Sequence, residues 1–227
     1  MNRSNFRRRH AIALGSLVLG CSLAGSAAAQ YNVTVWSGTG SGSEGDPTQQ
    51  ALPTNPLAIP ADQIATFSYT GSVNWLQTGG SANTLDQFVA NGGGSISGCT
   101  GTACAGSTAL ASGVVLSNPG FGLTTLMELT FTTTGPVTGT VSHDDGVSLF
   151  AATDTSFSNN FAPSSSPTSD VATSFSLTQA GTYNLWYDEA NGAPSVLNLQ
   201  VQTVPEPATL SLLGLGVLGL VARRRRG

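Results

Sequence analysis

The chain has 227 residues, with eight Lys plus Arg against twelve Asp plus Glu, and a net charge of −4. All eight basic residues are arginines at the extremes, Arg3, Arg7, Arg8 and Arg9 at the start and Arg223, Arg224, Arg225 and Arg226 at the end, so the stretch 30–203 holds eleven acids and no Lys or Arg. Such a body is repelled by nucleic acid and has no side-chain cation to hold a phosphate, which sets nucleic-acid and nucleotide partners aside.

Residues 1–29 have the form of a signal peptide. A positive leader, Arg7-Arg8-Arg9-His10, precedes an apolar run from Ala11 to Gly20 and a small-residue site ending Ala27-Ala28-Ala29, with cleavage expected between Ala29 and Gln30. As a helix the run measures roughly 15 Å, too short for a hydrocarbon core of ~30 Å. A rival reading makes Val18-Leu19-Gly20-Cys21 a lipoprotein box with Cys21 lipidated.

The body, 30–203, has the length of one domain. Tyr31 to Trp36 alternates apolar and polar residues, and Ser37 to Pro60, rich in Gly, Ser and Pro, reads as a long loop. Ile64 to Thr70 is the next strand. Thr84 to Ala90 is the one helical pattern, with Leu85, Phe88 and Val89 on one face and Asn91-Gly92 as its stop. Cys99 and Cys104 enclose a small Gly-rich loop; in an exported protein a disulfide is expected there, while a metal site lacks partners and a redox motif needs other spacing. Strands are then expected at Gly113–Ser117, Leu126–Thr132, Val137–His143, Val147–Ala151, Thr173–Leu177, Tyr183–Tyr187 and Val196–Gln202, with a second long loop from Phe161 to Asp170. Period-two runs separated by turn residues predict an all-β fold, a single antiparallel β-sandwich with one short helix.

Two acidic segments carry the chemistry. His143-Asp144-Asp145-Gly146 is expected at a hairpin tip and Asp188-Glu189-Ala190-Asn191 at another. Adjacent carboxylates repel unless a cation joins them, and hard oxygen ligands suit Ca²⁺. If the strands return both tips to one edge, Asp144, Asp145, Asp188 or Glu189, and Asn191 could share one ion. The same residues also read as ordinary solvated turns. A catalytic reading would recruit His143, the body's single histidine, yet the body holds no Gly-x-Ser-x-Gly elbow and no paired-histidine helix, so no enzyme is expected.

Residues 204–227 complete the chain: Val204-Pro205-Glu206-Pro207, an apolar stretch from Ala208 to Ala222, the four arginines and Gly227. The arrangement closely resembles the PEP-CTERM sorting signal of exported bacterial proteins, with Pro205, Glu206 and Pro207 as the processing box and Arg223 to Arg226 as the membrane stop. The prolines enforce an extended segment, and 15 apolar residues make ~22 Å of transmembrane helix that arginine side chains extend by snorkelling. Positive charge at both ends keeps those ends cytoplasmic and the body on the periplasmic side. The resemblance implies an exosortase as partner, a transient anchor in the inner membrane, and delivery to the cell surface or a biofilm matrix of exopolysaccharide.

A second resemblance covers about 65 residues of the body. Ser142 to Phe150, Gln179 to Tyr187 and Ala193 to Leu199 are similar to the second half of a protective-antigen-like domain, the β-sandwich family that includes the yeast flocculin lectins. That likeness implies Ca²⁺ held by Asp144 and Asp145, with Asn191 at the second calcium loop, and sugar hydroxyls bound through the ion. The aromatic residue usual in that second loop is missing here.

Overall fold

A computed structural model describes residues 29–79 and 83–204. Residues 1–28 of the expected leader and Pro205, Glu206, Pro207 and Arg223 to Arg226 of the tail lie outside the described residues. Among the described residues no helix is long and apolar enough to cross a membrane.

Ten strands and one helix follow in chain order: β1 (Gln30–Thr39), β2 (Gln63–Thr70), β3 (Asn74–Gln77), α1 (Leu85–Ala90), β4 (Ser95–Thr100), β5 (Leu123–Thr133), β6 (Val137–Asp144), β7 (Gly146–Ala151), β8 (Val171–Leu177), β9 (Gly181–Glu189) and β10 (Ser195–Thr203). They form two sheets, β4-β2-β1-β5-β9-β7 and β3-β10-β6-β8. Every pairing is antiparallel.

Alternation explains the layering. Tyr31, Val33 and Val35 of β1, Met127, Leu129 and Phe131 of β5, and Tyr183, Leu185 and Tyr187 of β9 point into the sandwich. They meet Val137, Val141, Phe175, Leu197 and Leu199 of the smaller sheet. The opposite parity of the larger sheet carries Trp36, Leu126, Phe150 and Trp186, which form a second cluster. The indoles of Trp36 and Trp186 stack at 5.6 Å. The loop after β1 covers this face with Ala51 and Leu57. Asn55 braces that loop, donating from Nδ2 to the carbonyls of Thr48 and Gln50 and accepting from the Leu57 N–H.

The helix plugs one end of the sandwich. Phe88 stacks on Tyr187 at 5.7 Å and meets Trp75 edge-on at 5.8 Å, and Trp75 in turn meets Tyr69 at 5.1 Å. Two expectations need correction, and a third is met. Gly113–Ser117 is no strand: Val115 makes a single bridge to Thr84, and the segment packs along α1 through the Leu85 N–H to Val114 O and Leu116 N–H to Asn83 O bonds. β3 and β4 are strands that the sequence pattern did not announce. The expected disulfide joins Cys99 to Cys104, with Cα atoms 5.8 Å apart.

Candidate functional site: an acidic pocket at one pole

β6 and β7 belong to different sheets, so Asp144-Asp145 forms a corner where the chain crosses the sandwich, and not the hairpin tip expected from sequence. The Asp144–Asp145 peptide bond is cis. Asp188 and Glu189 do not form a solvated tip either; they are the last two residues of β9 and are fully buried.

Asp144 and Asp145 line an open pocket of about 280 Å³. Three stretches line it with them: Asn191 to Pro194, Pro167 to Ser169, and Glu44 with Phe121. Two loops tied together build this rim. The Ala51 N–H donates to the Ser165 carbonyl, and the Ser148 hydroxyl donates to the Ala51 carbonyl. Phe121 is held at φ 60°, an uncommon conformation for a bulky residue, with its carbonyl accepting from the Gly42 N–H at 3.1 Å. A side chain at Gly40 would sit 2.3 Å from that carbonyl, so the close approach requires glycine there.

Asp145 fixes the stretch that begins at Asn191. Its Oδ2 accepts from the Ala190 N–H at 2.8 Å and the Asn191 N–H at 3.2 Å. Asn191 Oδ1 accepts from the Gly120 N–H at 3.1 Å. Burial, then the neighbouring Asp145 and Asp170, push the Asp144 carboxyl up to about 7. Burial also raises Asp145, opposed by its backbone hydrogen bonds.

Strand parity separates Asp188 from Glu189. Glu189 shares the inner face with Tyr187, and Asp188 shares the outer face with Trp186. Glu189 Oε1 accepts from the Ser117 hydroxyl at 2.7 Å. The Tyr187 hydroxyl lies 2.8 Å from Glu189 Oε2 and 2.5 Å from the Asp144 carbonyl oxygen. With one hydrogen to give, that hydroxyl serves both only if Glu189 carries a proton and donates. Burial, reinforced by Asp145, favours that state by raising the Glu189 pKa well above its ordinary value.

Asp188 accepts from the Gly146 N–H at 3.1 Å through Oδ1, while its buried Oδ2 has no partner. Burial and the charge of Asp145 raise its pKa far above the usual range as well. Neither Asp188 nor Glu189 lines the pocket. Among the described residues no three Asp, Glu, His or Cys side chains come together to hold one metal ion. The residues that the pocket does gather are Asp144, Asp145 and Asn191, with Thr168, Ser169 and Gly192 beside them.

The donor set is oxygen alone, which fits a hard cation with many ligands, and no neighbouring side chain can neutralise the pair, since the body has no Lys or Arg. His143 does not serve: its Nδ1 sits 2.6 Å from the Asp145 carbonyl, which can only accept, and its Nε2 sits 2.8 Å from the Thr173 hydroxyl. The carbonyl contact places a hydrogen on Nδ1, and burial lowers the imidazole pKa. Both ring nitrogens are thus engaged within the body.

Sequence reasoning missed Glu44, Phe121 and the 167–169 segment at this site. Each sits in a loop whose position depends on contacts far away in the chain, and no local motif marks it.

Comparison with known proteins bears on both ends of this description. Residues 203–226 match the PEP-CTERM protein-sorting motif. That motif indicates an exported protein, processed at the membrane by an exosortase and sorted to the surface. No curated protein matches the chain. Among solved structures the chain is similar to the PA14 domain of the antifreeze protein MpAFP, at 15% identity and a TM-score of 0.49 over 76% of this chain and 80% of that one. It is similar also to the A domain of epithelial adhesin 6 from Candida glabrata, solved with Galβ1-3GlcNAc, at 12% identity and a TM-score of 0.48 over 81% and 83%.

Proposed function

We propose that the chain is an exosortase-sorted surface protein whose sandwich is a calcium-dependent carbohydrate-binding module. One observation carries the reading: Asp144, Asp145 and Asn191 converge on a single open pocket in a domain with no basic side chain to balance them. Asp144 and Asp145 would hold the ion with Asn191. A bound Ca²⁺ neutralises the two carboxylates and leaves coordination positions for hydroxyl groups.

Phe121 supports the sugar half of the reading. Lectin-type sites pair polar contacts with an aromatic face for the apolar side of a pyranose. This pocket has Phe121 in its lining, supplied by the 117–123 segment and not by the loop where the sequence lacked an aromatic residue. An exopolysaccharide at the cell surface or in a biofilm matrix is the substrate class within reach after sorting. On this reading the tail anchors the protein in the inner membrane, with its body on the periplasmic side, until the tail is cut.

Calorimetric titration of the exported protein with Ca²⁺, followed by a glycan array in calcium and in chelator, tests the proposal. Binding to both, lost in Asp144→Asn with Asp145→Asn, is the expected result. No calcium heat and no retention on polysaccharide would leave a structural matrix protein. Release of reducing sugar would instead identify a glycan hydrolase.

A further inference from the structure

The strand registers place the two ends of the body together. Gln30 opens β1 opposite Thr70, Thr203 closes β10 opposite Val137, and Thr133 at the end of β5 faces Gly181. Asp144 faces Val196 at the other end of β10. Seven residue steps separate the two ends, about 23 Å at ~3.3 Å per residue. The acidic pocket therefore occupies one pole and the chain ends occupy the other.

A groove of about 430 Å³ lies between the chain ends. Tyr31, Phe131, Pro136, Val137, Val201 and Val204 give it an apolar floor, threonines rim it, and no charged side chain lines it. Val201 and Val204 remain 40% and 43% exposed, unusual company for a surface otherwise covered by Thr, Gly and Gln. The sorting motif begins on this rim, at residue 203. Thr203 still pairs with Val137, and the Val204 N–H donates to the Pro136 carbonyl at 3.1 Å. The Pro-Glu-Pro box thus starts one residue after this hydrogen bond to the body. Glu206 is two residues from Val204, at most about 7 Å of extended chain. Any enzyme that grips the box at the membrane face meets this pole.

We propose that the groove is the docking surface for the membrane enzyme that processes the tail, a partner presenting an uncharged, apolar face outside the membrane. The inference rests on the sorting motif and stands apart from the calcium reading. Following conversion of the full-length chain to its tail-cleaved form by pulse-chase in the producing cell tests it. Val201→Asp, at an exposed position on the groove, should lengthen the half-time about fivefold or more, the size of effect expected from a charge in an apolar interface core. Thr134→Asp, also exposed and lining the groove, should do the same. Val171→Asp, 41% exposed at the acidic pole, should leave it unchanged. Moving the box away with ten Gly and Ser residues between Val204 and Pro205 should slow the native chain and abolish the further effect of Val201→Asp.

Native half-times in both groove variants would overturn the proposal. So would equal slowing by Val171→Asp, which would point to export in place of docking. A groove that lies on lipid would show itself by loss of vesicle binding in Val201→Asp with an unchanged half-time, and that too would overturn it.

Discussion

Asp144→Asn offers the sharpest test of the acidic pocket. The substitution keeps the shape of the side chain and removes its charge. Folding raises the Asp144 pKa from 3.8 to about 7. The folded protein therefore binds this proton more tightly than the unfolded chain, and stability falls as pH climbs from about 4 to about 7, with the loss complete above that. A change of that size corresponds to about 4 kcal/mol. The pocket is open to water, whose screening we take to halve it, leaving ~2 kcal/mol. In metal-free buffer at pH 7.5 the variant should melt about 4–8 °C above the native protein, and at pH 4 the two should coincide. His143 works in the opposite sense, since burial lowers its pKa, so the folded state resists its protonation and loses stability as pH falls below 6.5. That contribution is common to both proteins and cancels in the difference. Calcium at a hundred times its dissociation constant should raise the native protein by about 2.7 kcal/mol and leave the variant largely unmoved. Scanning calorimetry at three pH values, with and without calcium, reads all of this. A variant no more stable than the native protein at pH 7.5 without metal would refute the reasoning.

Other perturbations probe separate parts of the structure. Reducing Cys99–Cys104, which closes a loop of five residues, should cost about 2 kcal/mol by chain entropy and lower the melting temperature by ~4–8 °C, measured with and without a phosphine reductant. Gly146→Ala would put a methyl 2.3 Å from both Asp188 Oδ1 and the Ser165 carbonyl, so denaturant melts should show a loss of about 1–3 kcal/mol and weaker calcium binding as the corner shifts. Leu149→Ala, at a fully buried site, should cost about 2–5 kcal/mol in the same assay. Deleting residues 205–227 removes nothing from the described core, so the product should melt like the native body while fractionation finds it displaced from the envelope.

Much of this fold was legible because its inner strands are clean alternators. Tyr31 to Val35 and Tyr183 to Tyr187 turn every second residue into the sandwich, as the pattern requires. β3 and β4 were hidden for a different reason. Asn74 to Gln77 is only four residues long, and Ser95 to Thr100 is a largely exposed edge strand of Ser and Gly that composition cannot separate from loop. Conversely, Val114 to Leu116 looks like a strand because it is apolar, but Leu116 spends its apolarity on the core while Val115 stays exposed. At the site, the Asp pair was legible as a cation ligand candidate, and its pairing with Asn191 follows from strand order. The separation of Asp188 from Glu189 was not legible, since carboxylates are rare in strand interiors and nothing local extends β9 past Tyr187. Phe121 comes to line the pocket beside Asp144 through the Gly42 N–H to Phe121 carbonyl and Gly120 N–H to Asn191 Oδ1 bonds, each a contact across more than seventy residues.

A domain whose two loose ends share one pole is built like a lollipop, and not like a bead on a string. Whatever finally grips the stick, bilayer or polymer, the candy end is left free. Copies crowded onto one support would then all show the same cap. For a many-armed polymer, crowding of such caps multiplies weak individual grips, so the density of the coat, more than the strength of any one cap, would set how firmly it holds.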